Sequence, residues 1–368
     1  MNSGTLFERL AAAFSDGVAR GWSEAEFDGW ASEVFRRQFE LNAVYRGFCE
    51  ARGRGPDDVA SWTDIPAVPT SAFKHLDLSP GRHEAVFETS GTTRGQARRG
   101  RHGVPSLALY RAASLPGLKS HMALPAEGMR ILSLIPSARD APRSSLSTMM
   151  AFALDAFGAE GSGTFADPER GVDLEGFAAA LDRAVDEAVP VWIAGTAFAF
   201  VHWFDAAAEG RATSVRLPEG SRIMETGGFK GRSREVSRGE LYADITRLLG
   251  IPDRWIVNEY GMTELLSQFW DGPAGADDRP PPEERTHRPP PWMRSRVVDP
   301  VTLEERPLGR PGLLLHVDLA NVGSVSAILT EDQGIAVPDG TIRVLGRSPG
   351  AEPRGCSLAL EDLLEARR

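Results

Sequence analysis

Apolar side chains at Leu6, Leu10 and Phe14 recur at the spacing of one helical face, and Phe27, Trp30, Val34 and Phe35 take up the same rhythm after a polar break. Between the two runs, Ser23-Glu24-Ala25-Glu26 has the form of a capping box, in which the serine and the glutamate satisfy each other's free backbone amides at a helix start. The pattern predicts an all-helical N-terminal cap over residues 1–62. Pro56 and the I-P-A-V-P segment with Pro66 and Pro69 end it, because proline removes an amide donor and disfavours helix in the residue before it.

Beyond the cap the period changes. Short β-like runs lie at Ala85 to Phe87, Ile131 to Ile135, Val191 to Ile193, Ile223 to Glu225, Trp255 to Val257 and Leu313 to Val317. Amphipathic segments such as Leu174 to Ala188 and Arg238 to Leu249 lie between several of them, the alternation of an α/β protein with largely parallel strands. The stretch Pro273 to Pro291, rich in Pro, Asp, Glu and Arg, reads as a surface loop or hinge, after which the chain turns β-rich. An α/β core over residues 63–345 and a hinge and tail over 346–368 complete the expected organisation.

Composition narrows the class. The chain has 368 residues, of which 42% are hydrophobic and 25% charged, as in a soluble globular protein. A net charge of -10 argues against a general nucleic-acid surface and leaves only a local basic patch at Arg94, Arg98, Arg99 and Arg101. No run approaches a membrane span and the N-terminus has no signal pattern, so a cytoplasmic location is the default. The two cysteines, Cys49 and Cys356, lie too far apart in sequence to suggest a disulfide framework or a cysteine-based zinc site.

Candidate chemistry centres on two stretches. F-E-T-S-G-T-T-R-G, Phe87 to Gly95, follows an apolar run and gathers small side chains and hydroxyls. Successive amides in such a loop can surround phosphate oxygens while the hydroxyls add donors; a flexible turn is the bland alternative. It is neither a Walker A loop, lacking the lysine, nor a nucleophile elbow, since Glu88 stands where a glycine is needed. N-E-Y-G-M-T-E-L, Asn258 to Leu265, follows Trp255 to Val257 and is placed at a strand's carboxyl end, where α/β folds bind ligands. Glu264 suits a hard cation such as Mg²⁺, or alternatively the N-terminus of a helix.

These residues carry a resemblance. Thr89-Ser90-Gly91-Thr92-Thr93 with Gly95, Tyr260-Gly261-Met262-Thr263-Glu264, Thr330-Glu331-Asp332 with Gly334, and Gly346-Arg347 resemble four ordered signatures of the adenylate-forming superfamily of acyl-CoA synthetases and adenylation domains. P-T-S-A-F-K, E-T-G-G-F-K-G-R-S-R-E, P-P-W-M-R-S-R, D-L-A-N and the terminal R-G-C-S-L are similar to the acyl-protein synthetase (LuxE-type) branch. The resemblance implies an α/β fold with the large N-terminal domain of adenylate-forming enzymes, a helical N-terminal cap, and most or all of the small C-terminal domain lacking. It implies an AMP-forming ligase that activates a carboxylic acid, in this branch a fatty acid, with ATP and Mg²⁺, and then acylates a thiol. On it, Thr89, Ser90, Gly91, Thr92, Thr93 and Gly95 embrace the β- and γ-phosphates, Thr263 contacts the α-phosphate, Glu264 the Mg²⁺, and Asp332 the ribose hydroxyls. Gly227, Gly228, Tyr260 and Gly261 border the nucleotide base, and Arg347 lies near the ribose at the hinge.

Two departures stand out. Arg94 and Arg98 replace the lysine usual after the glycine of the loop, and a guanidinium is a planar fork rather than a point charge. The chain's lysines are Lys74, Lys119 and Lys230, so none follows the hinge, where larger relatives carry a catalytic one. In the acyl-protein synthetase reading Cys356 receives the acyl group, with Arg354 favouring its thiolate, and passes it to an acyl-acceptor or reductase partner. A small buried filler is the other reading of that cysteine. Use of free CoA or a carrier-protein thiol, as in phenylacetate-CoA ligase relatives, and a catalytically silent nucleotide-binding scaffold are the alternatives to self-acylation. The acid itself and the oligomeric state, a homo-oligomer included, are not legible in the sequence. His75, His102, His121, His202, His287 and His316 are scattered without metal-ligand spacing; His287 in the Pro-rich loop reads as a solvated loop histidine, the commoner case, or alternatively as a gate to the site. Trp192 to Phe204 reads as core, with Gly195, Thr196 and Phe198 as candidates for an acyl pocket.

Overall fold

The computed structural model describes residues 4–89, 99–211, 214–227, 236–347 and 354–366. The chain divides into two compact units, one formed by Met1–Pro116, Met262–Gln268 and Arg288–Arg368, the other by Gly117–Gly261 and Phe269–His287.

The first unit begins with the helices Leu6–Ser15, Glu24–Leu41 and Ala43–Glu50. The complete capping box is at Thr5 and Glu8. At Ser23 only half of the expected box forms: its side chain accepts the Glu26 amide, but Glu26 turns its carboxylate to Arg20, whose charge outcompetes a neutral amide. The helices press Leu10, Phe14, Phe27, Val34, Phe35 and Phe48, all buried, against a sheet that is antiparallel except for the parallel pair of Val68–Pro69 with Ala327–Ala336. That sheet runs Met293–Val298, Pro311–Asp318, Ala327–Ala336, with Ile342–Arg347 and Val68–Pro69 also pairing with Ala327–Ala336. Phe14 stacks on Trp292 at 4.5 Å between centroids, and Gln38 bridges from helix Glu24–Leu41 to the Asn321 carbonyl and to Ser326. A two-stranded hairpin, Ala85–Glu88 with Arg101–Val104, carries the two ends of the Gly/Ser/Thr loop.

The second unit holds a six-stranded sheet in the order Phe269–Trp270, Ile256–Tyr260, Arg222–Thr226, Val191–Thr196, Arg130–Ser133, Gly163–Thr164. All neighbours are parallel except the first pair. The expected parallel α/β pattern therefore holds in this unit, while the strands near residues 311 to 347 are antiparallel. Val191, Trp192, Ile193, Ala194, Ile223 and Met224 are fully buried, which is why these runs are continuously apolar rather than alternating. Helices Leu174–Asp186, Ala197–Ala208 and Arg238–Leu249 supply Phe177, Leu181, Phe200, Trp203, Leu241 and Ile245 to the same core.

One expectation changes here. The stretch from Pro273 is not a plain surface loop: its Arg285 is fully buried, bonded to Asp253, the Ile256 carbonyl and Asp271, and Asp271 also pairs with Arg279. A buried guanidinium demands such partners, and this one finds them in its own unit. Within the segment expected as hinge and tail, Arg354–Ala366 forms a helix packed on helix Ala43–Glu50, with Ala359 and Leu363 buried and Asp362 paired to Arg52 at 2.5 Å.

Candidate active site

The N-E-Y-G stretch ends strand Ile256–Tyr260, and the following residues form a turn closed by the Leu265 amide on the Met262 carbonyl. Glu264 thus lies in a turn and not at a helix N-terminus, so the macrodipole reading of it falls away. The turn is gripped along its length within the first unit. His102 bonds the Thr263 carbonyl through Nδ1 at 2.8 Å, Asn321 donates to the Glu264 carbonyl at 2.7 Å, and Asp318 accepts the amides of Leu266 and Ser267 at 2.9 Å each. The Ser267 hydroxyl donates to Asp318 and accepts the Trp292 indole N–H. D-L-A-N, Asp318 to Asn321, and the tryptophan of P-P-W-M therefore act by holding this turn.

Glu264 itself is buried, at 8% exposure. Burial pushes its carboxyl from an ordinary 4.5 up to about 7; its own amide and Arg347 oppose that rise, while Asp332 and Glu331 add to it. Asp332 and Glu331 lie on strand Ala327–Ala336, and Arg347 comes opposite Asp332 across the pair with Ile342–Arg347. Its guanidinium stands 3.7 Å from Glu331 and 3.8 Å from Asp332. Glu264, Asp332 and Arg347, three residues chosen from the sequence, are thereby brought into one electrostatic neighbourhood, with Glu331 as an unforeseen fourth. The donor set suits a hard divalent cation: a desolvated carboxylate in the field of two others is short of positive charge. Among the described residues no group of three or more His, Cys, Asp or Glu is placed to hold a metal by itself. A cation at Glu264 would share its coordination with substrate oxygens, the usual habit of Mg²⁺.

Thr89 closes the base of the loop. Its hydroxyl accepts the Gly100 amide at 2.9 Å and its amide donates to the Gly100 carbonyl at 3.0 Å. A Cβ on Gly100 would meet the Thr89 methyl at 3.1 Å, so the glycine permits this close pairing. Ser90, Gly91, Thr92, Thr93 and Gly95 lie outside the described residues, as do Gly228, Arg94, Arg98 and Lys230.

Cys356 is 1% exposed, and its Sγ lies 3.7 Å from the carbonyl of Thr330. The hydroxyl of that threonine accepts the Asp332 amide at 3.1 Å. The thiol is therefore packed on the strand that carries Glu331 and Asp332.

The remaining sequence candidates belong to the second unit. Gly227 follows strand Arg222–Thr226 with φ of +72°, and Tyr260 ends the neighbouring parallel strand, with Gly261 after it. Below them lies a buried polar network. Asn258 donates to Glu225, Thr226 donates to Glu259, and desolvation lifts both glutamates to about 7. His287 corrects its expected solvation: it is buried, bonds Asn258 Oδ1 at 2.6 Å, packs edge-on to Tyr260, and is held down to about 3 by burial. The burial and the partners of His102 and His287 were not legible because a lone histidine has no spacing signature. For His102 the alternation in R-H-G-V, with Arg101 exposed and His102 buried opposite Phe87, was the available signal.

The family described as Acyl-protein synthetase, LuxE matches residues 23–365. The chain belongs to that family. Its description is that of an enzyme, a synthetase joining acyl groups to protein. The chain is 23% identical over 375 residues to the long-chain-fatty-acid–luciferin-component ligase of Vibrio harveyi, across 95% of this chain and 92% of that one. The enzyme of the same name from Aliivibrio fischeri is 22% identical over 352 residues, across 92% and 88%. Among solved structures, an open conformation of 2-hydroxyisobutyryl-CoA ligase in complex with 2-HIB-AMP and CoA matches with a TM-score of 0.62 at 15% identity, over 88% of this chain and 69% of that one. The chain spans 48% of the length of ATP-bound MatB from Rhodopseudomonas palustris. The fold of the acyl-protein synthetase is that of the adenylate-forming enzymes, with a helical N-terminus. Among the described residues no helix is long and apolar enough to cross a membrane.

Proposed function

We propose that the protein is an ATP-dependent ligase that activates a fatty acid as its acyl-adenylate and transfers the acyl group to the thiol of Cys356. The observation that carries this is the joint placement of Glu264, Asp332, Arg347 and Cys356 around one strand and one turn of the first unit. Family membership supports the same reading.

The carboxylate oxygen of the acid attacks the α-phosphorus of ATP, the bond to the bridging oxygen breaks, and pyrophosphate departs. Such a displacement gains most from fixed charge around the phosphates. Thr263 faces the α-phosphate in this reading. Glu264 holds the Mg²⁺, which supplies charge neutralisation when bound. Asp332 accepts hydrogen bonds from the ribose hydroxyls, and Arg347, already forked between Glu331 and Asp332, lies beside it. The phosphate contacts expected of Ser90, Thr92 and Thr93, and the base contacts expected of Tyr260, Gly227 and Gly228, rest on the family resemblance alone.

In the second step the sulfur attacks the acyl carbonyl, the mixed-anhydride bond breaks, AMP leaves, and the thiol proton passes to solvent or to AMP. A thiol at 1% exposure cannot be reached where it rests. Loading therefore requires the Arg354–Ala366 helix to shift on its bed, and the acyl group then leaves for an acceptor protein.

ATP/pyrophosphate exchange across acids of graded chain length tests the first step. Wild-type protein is expected to retain acyl label that hydroxylamine releases, and Cys356→Ser to keep exchange but carry no such label. Product formation by Cys356→Ser upon added CoA would favour a CoA ligase instead; nucleotide binding without exchange for any acid would leave a silent scaffold.

A further inference from the structure

Both nitrogens of the buried His102 are committed to places far off in the chain. Nδ1 lies 2.8 Å from the Thr263 carbonyl and Nε2 2.9 Å from the Ser324 hydroxyl, 161 and 222 residues away. A carbonyl only accepts, so Nδ1 carries the proton. Nε2 is then the acceptor and Ser324 the donor. Burial pulls the ring down to about 4, so it is neutral under ordinary conditions and this single tautomer is the one present.

The two bonds join three separate segments of the first unit. His102 sits on strand Arg101–Val104, whose partner strand ends at Glu88. Two residues before it, Gly100 is locked to Thr89 by two hydrogen bonds. On the other side, the residue whose carbonyl it holds immediately precedes Glu264. Phe73 packs edge-on to the ring at 5.4 Å and fixes its plane. Ser324 closes the short segment that begins with Asn321, which in turn grips the Glu264 carbonyl. An apolar side chain would fill this space equally well; it would not orient the peptide between Thr263 and Glu264.

We propose that His102 is a positioning residue, which by donating from Nδ1 to the Thr263 carbonyl sets the Thr263–Glu264 turn against the base of the Gly/Ser/Thr loop. The inference rests on the adenylation reading for its catalytic consequence, and on geometry alone for its structural one. A misplaced turn costs most where charge develops on the phosphorus, so the turnover of exchange falls while ATP binding stays near its wild-type level.

The test uses full-length protein with three substitutions of similar bulk. Asn places an amide near the Nδ1 position, Gln places one near Nε2, and Leu has neither. His102→Asn is expected within about 5-fold of wild-type exchange kcat, with His102→Gln and His102→Leu lower by about 30-fold or more, and with KM for ATP within about 3-fold throughout. Hydrogen–deuterium exchange of peptides covering residues 262–268 is expected to quicken in His102→Gln and His102→Leu and to stay near wild type in His102→Asn. Equal kcat for the three variants, or losses that follow melting temperature rather than the position of the amide, overturns the inference. Should those variants not fold, Ser324→Ala is expected to lower kcat by about 5-fold with KM unchanged, and an unchanged kcat overturns it. Wild-type protein that exchanges with no acid defeats the adenylation reading instead. The deuterium pattern still decides for or against the positioning role in that event: unaltered protection of residues 262–268 in all three variants removes it.

Discussion

Replacing Glu264 by glutamine separates what this carboxylate does for binding from what it does to the fold. In the folded protein burial lifts its carboxyl from 4.5 to about 7. A carboxyl with a raised folded pKa binds its proton more tightly folded than unfolded, so its effect on stability is absent below about pH 4.5. Stability is lost as the pH rises through 7, when the charged form must be kept out of water. A carboxyl lifted from 4.5 to about 7 corresponds to about 3 kcal/mol of destabilisation above pH 7.5. Glu264→Gln, isosteric and uncharged, removes it. Urea unfolding followed by the fluorescence of the eight tryptophans is the assay, at pH 5 and pH 8, without nucleotide. The difference between variant and wild type at pH 8, less the same difference at pH 5, is expected to favour the variant by about 2.5 kcal/mol, since some of the loss is already present at pH 5. Comparing the two pH values cancels the cost of burying an amide, and the other lifted carboxyls, Glu225 and Glu259, are common to both proteins. The stabilised variant is nevertheless expected to lose ATP/pyrophosphate exchange and the added protection that Mg²⁺ with ATP gives wild type. No pH-dependent gain in stability, or exchange that survives, would refute the placement of a strained anion at this point.

Asp332→Asn keeps the side chain's shape but removes the charge facing Arg347, and a loss of about 10- to 100-fold in exchange kcat/KM is expected, carried chiefly by KM for ATP. Leu363→Ala empties a fully buried position under the terminal helix, a change of about 2–5 kcal/mol in core contexts, and should speed the reaction of Cys356 with a thiol reagent at least about 10-fold while Cys49 stays protected. Arg285→Ala removes a buried guanidinium together with its bonds to Asp253 and the Ile256 carbonyl, leaving Arg279 as the cation paired with Asp271; a loss of about 3 kcal/mol in urea unfolding is expected, and a double-variant cycle with Asp271→Ala is expected to be non-additive, because the two share one network.

The helical N-terminus, the strand starts and the order of the motifs were legible because each is written in neighbours. Leu6, Leu10 and Phe14 share a face whatever the rest of the chain does, and Arg238–Leu249 begins and ends where its serine cap and its glycine at 250 dictate. N-E-Y-G announced itself at the end of an apolar run for the same reason, while E-T-G-G was singled out by the family resemblance; the adjacency of the two strands they end follows once the sheet forms.

What tertiary structure alone decided is electrical and steric. Desolvation depends on everything packed around a group, so the lifted carboxyl of Glu264 and the lowered imidazoles of His102 and His287 have no local signature. The burial of Cys356 beside Thr330 depends on a terminal helix settling on residues some 300 positions earlier, held by Leu363 and by the pair of Arg52 with Asp362. Likewise D-L-A-N could be recognised as a string, yet its work, gripping a turn more than fifty residues upstream, exists only once the antiparallel sheet brings Asp318 and Asn321 to that turn. Periodicity and caps are properties of a few consecutive residues; burial and charge compensation belong to the whole packed unit.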